Sequence, residues 1–94
     1  MAALSKEEIS AKLKDFTGWD YKDNMIYREF DTGSFVNAVS FLVKIAAEAE
    51  KMDHHPDICI HAYSKLIVML TTHSEGGVTE KDFNLAKTVN LIES

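Results

Sequence analysis

The segment PDICIHAYSKLIVML, from Pro56 to Leu70, holds the clearest strand signals in this chain of 94 residues. Apolar and polar side chains alternate from Asp57 to Ala62, and this period of two is typical of a half-buried strand. Leu66 to Leu70 is a continuous apolar run of strand length, which indicates a central strand. We expect strands at 57–62 and 64–72, joined by a turn near Tyr63 and paired antiparallel.

Upstream of this pair the sequence predicts a short helix and then a β-hairpin. Ser5 and Glu8 match a capping box, in which each side chain accepts a hydrogen bond from the other residue's backbone amide. Residues 19–22 and 26–30 are rich in aromatic and β-branched side chains. Asp23 and Asn24 between them tolerate the positive φ angles of a tight turn, so two antiparallel strands are predicted.

Two further helices are predicted, one from Ser34 to Met52 and one that begins at the Thr79–Asp82 capping box. In the longer helix, apolar residues recur at steps of three and four, which predicts a core-facing stripe made of Phe35, Val39, Leu42, Ala46 and Ala49. Phe41, Val43 and Ile45 widen the apolar surface beyond that stripe. We expect these three to meet something else, such as a second subunit.

The predicted element order is α-β-β-α-β-β-α. It indicates an α+β fold in which helices pack on one face of a four-stranded antiparallel sheet. The length predicts one domain over residues 1–94. The remaining sheet face or an edge strand needs cover, so oligomerisation is expected.

Composition excludes several classes of function. Ten basic and fifteen acidic residues leave a net charge of −5, which disfavours binding to nucleic acid. No apolar run approaches the ~18–20 residues of a membrane span. The single cysteine, Cys59, excludes an internal disulfide and fits a reducing compartment. The first residues lack the pattern of a signal peptide, so a cytoplasmic location is expected, with the nucleus left open.

Antiparallel pairing of the strands at 57–62 and 64–72 places the start of the first beside the end of the second. His54 and His55 therefore come close to His73, and the same region is bordered by carboxylates, those of Glu50, Asp53 and Asp82. Imidazoles exchange protons near neutral pH, and a neighbouring carboxylate fixes the ring tautomer. Such a cluster suits elimination of water. The alternative is that these histidines are merely solvated residues at element ends.

The spacing of these residues resembles that of the pterin-4a-carbinolamine dehydratases. The similarity includes the segment EKMDHHP at 50–56, Tyr63, the segment LTTH at 70–73 and the segment GGVTEKD at 76–82. Upstream it includes Gly18-Trp19, and it covers nearly the whole chain. This chain departs from many members at Ile58-Cys59, where they carry an aromatic residue. The register around His61 also differs among members, and neither departure affects the three histidines.

The resemblance implies an enzyme, a hydro-lyase that dehydrates 4a-hydroxytetrahydropterin to quinonoid dihydropterin in tetrahydrobiopterin recycling, with no metal or cofactor. It implies His54 and His73 as general acids and His55 as a substrate-holding residue. Contacts to the pterin would come from Asp53 and from the backbone of Thr71, Thr72, His73 and Ser74. Glu50 and Asp82 would orient the histidines. The resemblance also implies assembly into a homodimer or homotetramer.

Alternatives for the same residues remain open. Asp82 sits at the third position of a predicted helix, so it is a helix cap, a residue that orients the histidines, or both. Three histidines suggest zinc, but adjacent histidines rarely share one ion. A lone cysteine in a strand, such as Cys59, is more often a small apolar residue than a nucleophile. Trp19 is expected in the core or at an interface. Some relatives also bind a homeodomain transcription factor as a coactivator, and here the helix from Ser34 to Met52 would supply that surface.

Overall fold

A computed structural model describes residues 2–93 and confirms the predicted order of elements. The helices are α1 (Lys6–Leu13), α2 (Phe35–Met52) and α3 (Glu80–Glu93), and the strands are β1 (Asp20–Lys22), β2 (Met25–Asp31), β3 (Asp57–His61) and β4 (Lys65–Leu70). A short 3-10 helix lies at His73–Glu75. The sheet order is β1-β2-β4-β3, and every neighbouring pair is antiparallel. Among these helices none has the length and hydropathy to cross a bilayer.

The local signals act as the sequence predicts. The Ser5 amide donates to Glu8 Oε1 at 2.8 Å and the Glu8 amide to Ser5 Oγ at 3.1 Å, which completes the capping box of α1. Asp23 and Asn24 both adopt positive φ between β1 and β2, as a tight hairpin turn demands.

The β3–β4 hairpin is shorter than predicted. Ala62 and Tyr63 both take positive φ, at 47° and 53°, and form the turn. The strands therefore end at His61 and begin at Lys65, rather than at 62 and 64. Beyond Leu70, Thr72 pairs only with Gly77, in an isolated bridge. The predicted strand at 64–72 is thus too long at both ends, because the left-handed turn and this bridge remove its outer residues.

One face of the sheet carries the core. Alternate side chains of β2 and β4 are buried against the helices: Ile26, Phe30, Leu66, Val68 and Leu70. Their neighbours along each strand lie on the other face, where no helix covers them within residues 2–93, and they remain partly or fully exposed. Burial on one face only confirms that the helices pack on one side of the sheet.

The predicted core stripe of α2 is wrong in three of its five members, since Phe35, Val39 and Ala46 are exposed. The buried residues of the helix are Ala38, Phe41, Ile45 and Ala49. Phe41 and Ile45 therefore cannot form the outer surface predicted for them, and of that set only Val43 is exposed. The helix is apolar on most of its circumference, so periodicity alone does not choose the buried face. Packing against the sheet and α3 chooses it.

Candidate active site

A left-handed residue at the end of α2 separates the two adjacent histidines. Asp53 has φ 50° and ψ 43°, and its amide donates to the carbonyls of Ala49 and Glu50. The His54 amide donates to the Ala49 carbonyl as well, at 3.1 Å. This reversal turns the chain towards β3. The His54 side chain is consequently 10% exposed, while that of His55 is 60% exposed.

His54 is held by a fully buried carboxylate. Its Nε2 lies 2.5 Å from Asp82 Oδ1, and Asp82 is 0% exposed. The second carboxylate oxygen, Oδ2, accepts from the Thr72 hydroxyl at 2.8 Å and from the Thr79 amide at 2.9 Å. The bond from Thr79 is the capping interaction predicted for α3. Asp82 therefore both caps α3 and contacts His54. The capping role and the site role that the sequence predicts for this residue occur together.

His55 pairs on the protein surface with Glu50, the other carboxylate that the resemblance assigns to orienting the histidines. Its Nε2 lies 3.1 Å from Glu50 Oε1, and the Glu50 side chain is 77% exposed. Water screens an ion pair at such exposure, so the pair contributes little to stability. It restricts the orientation of the imidazole, which lies at the edge of the site rather than within it.

The β1–β2 hairpin turn supports the loop that carries His73. The side-chain amide of Asn24 donates to the Gly76 carbonyl at 2.8 Å, and the Asn24 carbonyl accepts from the Thr71 hydroxyl at 2.9 Å. The Thr72–Gly77 bridge closes the base of the same loop. These contacts hold an exposed segment beside the end of α2. His73 is thereby brought to the same end of the sheet as His54 and His55, although the chain separates them by a whole hairpin.

The three histidines line one cavity of about 220 Å³ at this end of the sheet. Its walls are formed by Asp53, His54, His55, Thr71, Thr72, His73, Ser74 and Lys81. All residues for which the resemblance implies catalysis or pterin contact are in this set, whereas Glu50 and Asp82 reach it through the imidazoles. Lys81 was not predicted. Its one sequence signal is its position beside Asp82 in the first turn of α3.

A larger groove of about 460 Å³ lies away from the histidines, where the end of β2 meets α2 and α3. Its charged lining residues have both signs and include Arg28, Lys44, Asp31 and Glu93. As far as residues 2–93 show, no histidine or cysteine lines this groove. The larger groove therefore lacks groups that exchange protons near neutral pH. The smaller cavity, which has them, is the better candidate for an active site.

The remaining predicted residues lie elsewhere. His61 pairs with Glu29 Oε1 at 2.7 Å, and Cys59 is exposed on the same strand; neither lines the cavity. Trp19 is buried in the core, and its indole N–H donates to Asn90 Oδ1 at 2.8 Å. Among the residues described, 2–93, no group of three His, Cys, Asp or Glu side chains has an arrangement suited to a metal ion.

Comparison with known proteins identifies the family of this chain. The profile of the pterin 4 alpha carbinolamine dehydratase family matches residues 2–92. A relative from Sulfolobus acidocaldarius is 46% identical over 90 residues, which are 96% of this chain and 98% of that protein. A relative from Picosynechococcus is 48% identical over 89 residues, 95% of this chain and 96% of its own. Both are assigned, provisionally, as pterin-4-alpha-carbinolamine dehydratases.

Two solved structures share the fold. The crystal structure of a transcriptional coactivator/pterin dehydratase from Brucella melitensis superposes with a TM-score of 0.90 at 38% identity, covering 98% of this chain and 99% of that one. A pterin dehydratase-like protein described as a RuBisCO assembly factor of the alpha-carboxysome has a TM-score of 0.65 at 22% identity, over 81% and 87%. The second likeness concerns the fold alone. The match along nearly the whole sequence establishes that this chain belongs to the pterin-4-alpha-carbinolamine dehydratase family.

Proposed function

We propose that this protein is a 4a-hydroxytetrahydrobiopterin dehydratase, a hydro-lyase that serves tetrahydrobiopterin recycling. The reaction breaks the C4a–O bond of the 4a-hydroxytetrahydropterin. The departing oxygen takes a proton from an acid and leaves as water, and the pterin ring loses one proton as it becomes quinonoid dihydropterin. No electrons are exchanged with another molecule, and no net proton is consumed. The protein has to supply an acid, a base and a binding surface for a flat ring.

The observation that supports this proposal is the convergence of His54, His55 and His73 on one cavity. General acid–base catalysis requires groups that exchange protons near neutral pH and lie within hydrogen-bond reach of the reacting atoms. The cavity of about 220 Å³ is smaller than the ~300–1,000 Å³ of sites for drug-sized ligands. It suits one small, flat ring.

The residues around the cavity divide into acids and binding groups. In this proposal His54 and His73 are the general acids for the 4a-hydroxyl, and His55 holds the ring from the solvent side. Asp53 and the strand-end backbone of Thr71, Thr72, His73 and Ser74 supply donors and acceptors to the amide and amidine edges of the pterin. Lys81 also lines the cavity, so we include its ammonium group among the binding groups as a further donor.

The test is a stopped-flow assay of carbinolamine decay with wild type, His54→Ala and His73→Ala. Wild type is expected to accelerate decay over buffer, and each substitution to reduce kcat about 10²- to 10⁴-fold, the contribution typical of general acid–base catalysis. His61→Ala is the matched control, because its imidazole lies outside the cavity, and it should keep the full rate. Wild-type decay equal to that in buffer, or full rates in both variants, would contradict the proposal.

Assembly into a homodimer or homotetramer and a cytoplasmic location also belong to this proposal. Four apolar side chains on the outer side of α2 support the assembly: Phe35, Val36, Val39 and Val43 are 59%, 71%, 40% and 59% exposed, respectively. We call these four residues the α2 stripe. Packing against a second copy removes that apolar surface from water, which stabilises a small domain.

A second candidate function is that of a dimerisation cofactor for a homeodomain transcription factor. The observation that favours it is the likeness to the Brucella melitensis protein, which is described as a transcriptional coactivator as well as a pterin dehydratase. The α2 stripe is the surface on which a partner helix would pack. This function needs no histidine, so it predicts a heteromeric complex that survives His54→Ala and His73→Ala. Size-exclusion chromatography with candidate homeodomain partners tests it, and elution of both proteins as separate species contradicts it.

A further inference from the structure

The hydrogen bonds around Asp82 have only one consistent direction. The Lys81 amide donates to the Thr79 hydroxyl oxygen at 3.2 Å, and the Thr79 and Thr72 hydroxyls lie 2.8 Å apart. A hydroxyl has a single proton, and that of Thr72 is donated to Asp82 Oδ2. Thr79 must therefore donate to Thr72. Every donor in this chain of hydrogen bonds points towards the Asp82 carboxylate.

The Asp82 carboxylate determines which nitrogen of His54 carries the proton when the ring is neutral. An ionised carboxylate has acceptor oxygens only, so the His54 nitrogen that faces Oδ1 at 2.5 Å is the donor, and that nitrogen is Nε2. A neutral imidazole has one donor and one acceptor nitrogen. Nδ1 is then the unprotonated one.

Nδ1 is also the nitrogen that is open to the cavity. Over residues 2–93 no buried side-chain nitrogen or oxygen lacks a hydrogen-bond partner, and the hydrogen bond of the His54 ring is made through Nε2. Nδ1 is therefore accessible, and the ring lines the cavity. When the ring is protonated, Nδ1–H is the acidic group presented there; when it is neutral, the Nδ1 lone pair is the base.

We propose that Asp82 fixes the tautomer of His54, so that Nδ1 is the atom that exchanges a proton with the pterin, and that the Thr72 hydroxyl is a positioning residue for Asp82. This inference rests on the proposed dehydratase function and adds the reacting atom to it. The proton passes from Nδ1 to the oxygen that leaves C4a as water. Nε2 stays bound to Asp82 throughout, so the imidazole keeps its orientation while its charge changes.

The substitution Asp82→Asn separates this inference from a purely structural role. The Thr72 hydroxyl and the Thr79 amide both need an acceptor, so the amide oxygen of the asparagine occupies the place of Oδ2. Its NH2 group then faces His54 and requires an acceptor there. Nε2 must give up its proton, and the proton moves to Nδ1. The variant keeps the helix cap and the shape of the site but presents the wrong tautomer.

The experiment is NMR of the histidine rings in the ligand-free protein, with two-bond correlation of ring protons to ring nitrogens at a pH where His54 is neutral. Wild type is expected to show the proton on Nε2 of His54, and Asp82→Asn to show it on Nδ1. A wild-type proton on Nδ1 overturns the inference, and this measurement holds even if Asp82→Asn does not fold. An unchanged tautomer in a folded Asp82→Asn also overturns it.

Kinetics supply the second arm. Asp82→Asn is expected to lower kcat about 10²- to 10⁴-fold, the contribution typical of general acid–base catalysis, because the wrong tautomer cannot exchange the proton. Thr72→Val should lower kcat about tenfold with KM nearly unchanged, because one hydrogen bond to a charged group is lost. Thr72→Ser keeps the hydroxyl and should restore the rate. If Thr72→Val keeps the full kcat, or if Thr72→Ser does not restore the rate, Thr72 is not a positioning residue for Asp82.

The two arms separate failure of this inference from failure of the proposed function. The tautomer is read without substrate, so an inactive wild type with its proton on Nε2 contradicts the dehydratase proposal and leaves the tautomer assignment intact. An active wild type with its proton on Nδ1 contradicts the tautomer assignment and leaves the dehydratase proposal intact. Titration with 7,8-dihydrobiopterin adds a further check: the nitrogen resonance of Nδ1 should shift on binding, and a shift confined to Nε2 contradicts the assignment of the reacting atom.

Discussion

Asp53 adopts a left-handed backbone conformation, with φ 50°, at the end of α2. This conformation costs an L-residue roughly 1–2 kcal/mol and costs glycine little. Asp53→Gly is therefore expected to raise the free energy of unfolding by up to about 1 kcal/mol, with part of the gain offset by the flexibility of glycine in the unfolded chain. Because the carboxylate lines the cavity, the same change should reduce kcat/KM about tenfold or more. Urea denaturation and the stopped-flow assay measure the two effects.

The control for this prediction is Asp53→Asn, since asparagine also tolerates the left-handed conformation and keeps an acceptor oxygen. It should match wild type in stability and lie between wild type and glycine in kcat/KM. A glycine variant that is less stable than wild type, or that keeps the full kcat/KM, contradicts the reading of Asp53 as a strained residue retained for binding.

At this scale the sequence predicts most of the residues that line the candidate cavity. His54, His55 and His73 were located from strand pairing alone, because antiparallel strands bring fixed ends together. Lys81 was missed because its contribution depends on where the first turn of α3 points, which spacing does not reveal. The hydroxyl of Thr72 was also missed: it serves Asp82, whereas the resemblance implied contact through the backbone.

The hairpin turn between β1 and β2 acts as a support for the His73 loop, through the Asn24 side chain and the Gly76 carbonyl. Asn24→Gly keeps a residue that favours positive φ and keeps the backbone carbonyl that binds Thr71, but it removes this side-chain donor. We expect faster hydrogen exchange in the amides of 73–77 and a fall in kcat of about tenfold, with global stability changed by less than about 1 kcal/mol. Hydrogen exchange read by mass spectrometry, together with the kinetic assay, tests this.

Asp23→Gly is the matched control, because Asp23 occupies the adjacent turn position with positive φ, and no hydrogen bond from its side chain to the loop is seen in the described part of the chain. It should leave both the exchange rates at 73–77 and kcat as in wild type. If Asn24→Gly behaves in the same way as this control, the turn does not support the loop. The contact joins residues 52 positions apart, so it has no sequence signal.

The capping box of α1 gives a stability effect that depends on pH. The Ser5 backbone amide, and secondarily the Ser5 hydroxyl, hold the pKa of Glu8 below its ordinary value of 4.5. A depressed pKa in the folded state means that the ionised carboxylate stabilises the fold above the unfolded pKa, and that this contribution is lost as the pH falls through the folded pKa. Glu8→Gln should therefore be less stable than wild type at neutral pH, with a difference that shrinks in acid below pH 4.5.

Denaturation of wild type, Glu8→Gln and Glu7→Gln across this pH range measures the effect. Glu7 lies in the same first turn but does not take part in the capping box, so its substitution should show a smaller pH dependence. A difference between Glu8→Gln and wild type that grows in acid would falsify this account of the cap. The capping box was predicted correctly because its two partners are only three residues apart. The buried face of α2 was not, because it depends on packing against residues distant in the sequence.

At the scale of the whole molecule, the α2 stripe is apolar surface that residues 2–93 leave exposed to water. Covering it would stabilise a small domain. If a second copy packs there, Val43→Lys should shift the protein towards the monomer, because a charged ammonium in an apolar interface is costly to desolvate. Light scattering after size-exclusion chromatography measures the mass. Ser10→Lys, on the exposed side of α1, adds the same charge elsewhere and should leave the assembly unchanged. An unchanged mass for Val43→Lys places the interface away from the stripe.

Asp82 serves the helix and the site together, whereas the loop uses only the backbone of His73, whose carbonyl accepts from the Gly76 amide at 3.2 Å; within residues 2–93 the His73 side chain shows no hydrogen bond. In a descendant that had abandoned the chemistry, selection on folding alone would still preserve the aspartate, and nothing would preserve the histidine. The two residues therefore carry different information about ancestry and present use. When relatives are compared for loss of activity, a substitution at the position of His73 indicates that loss. Retention of Asp82 indicates only that α3 is still capped.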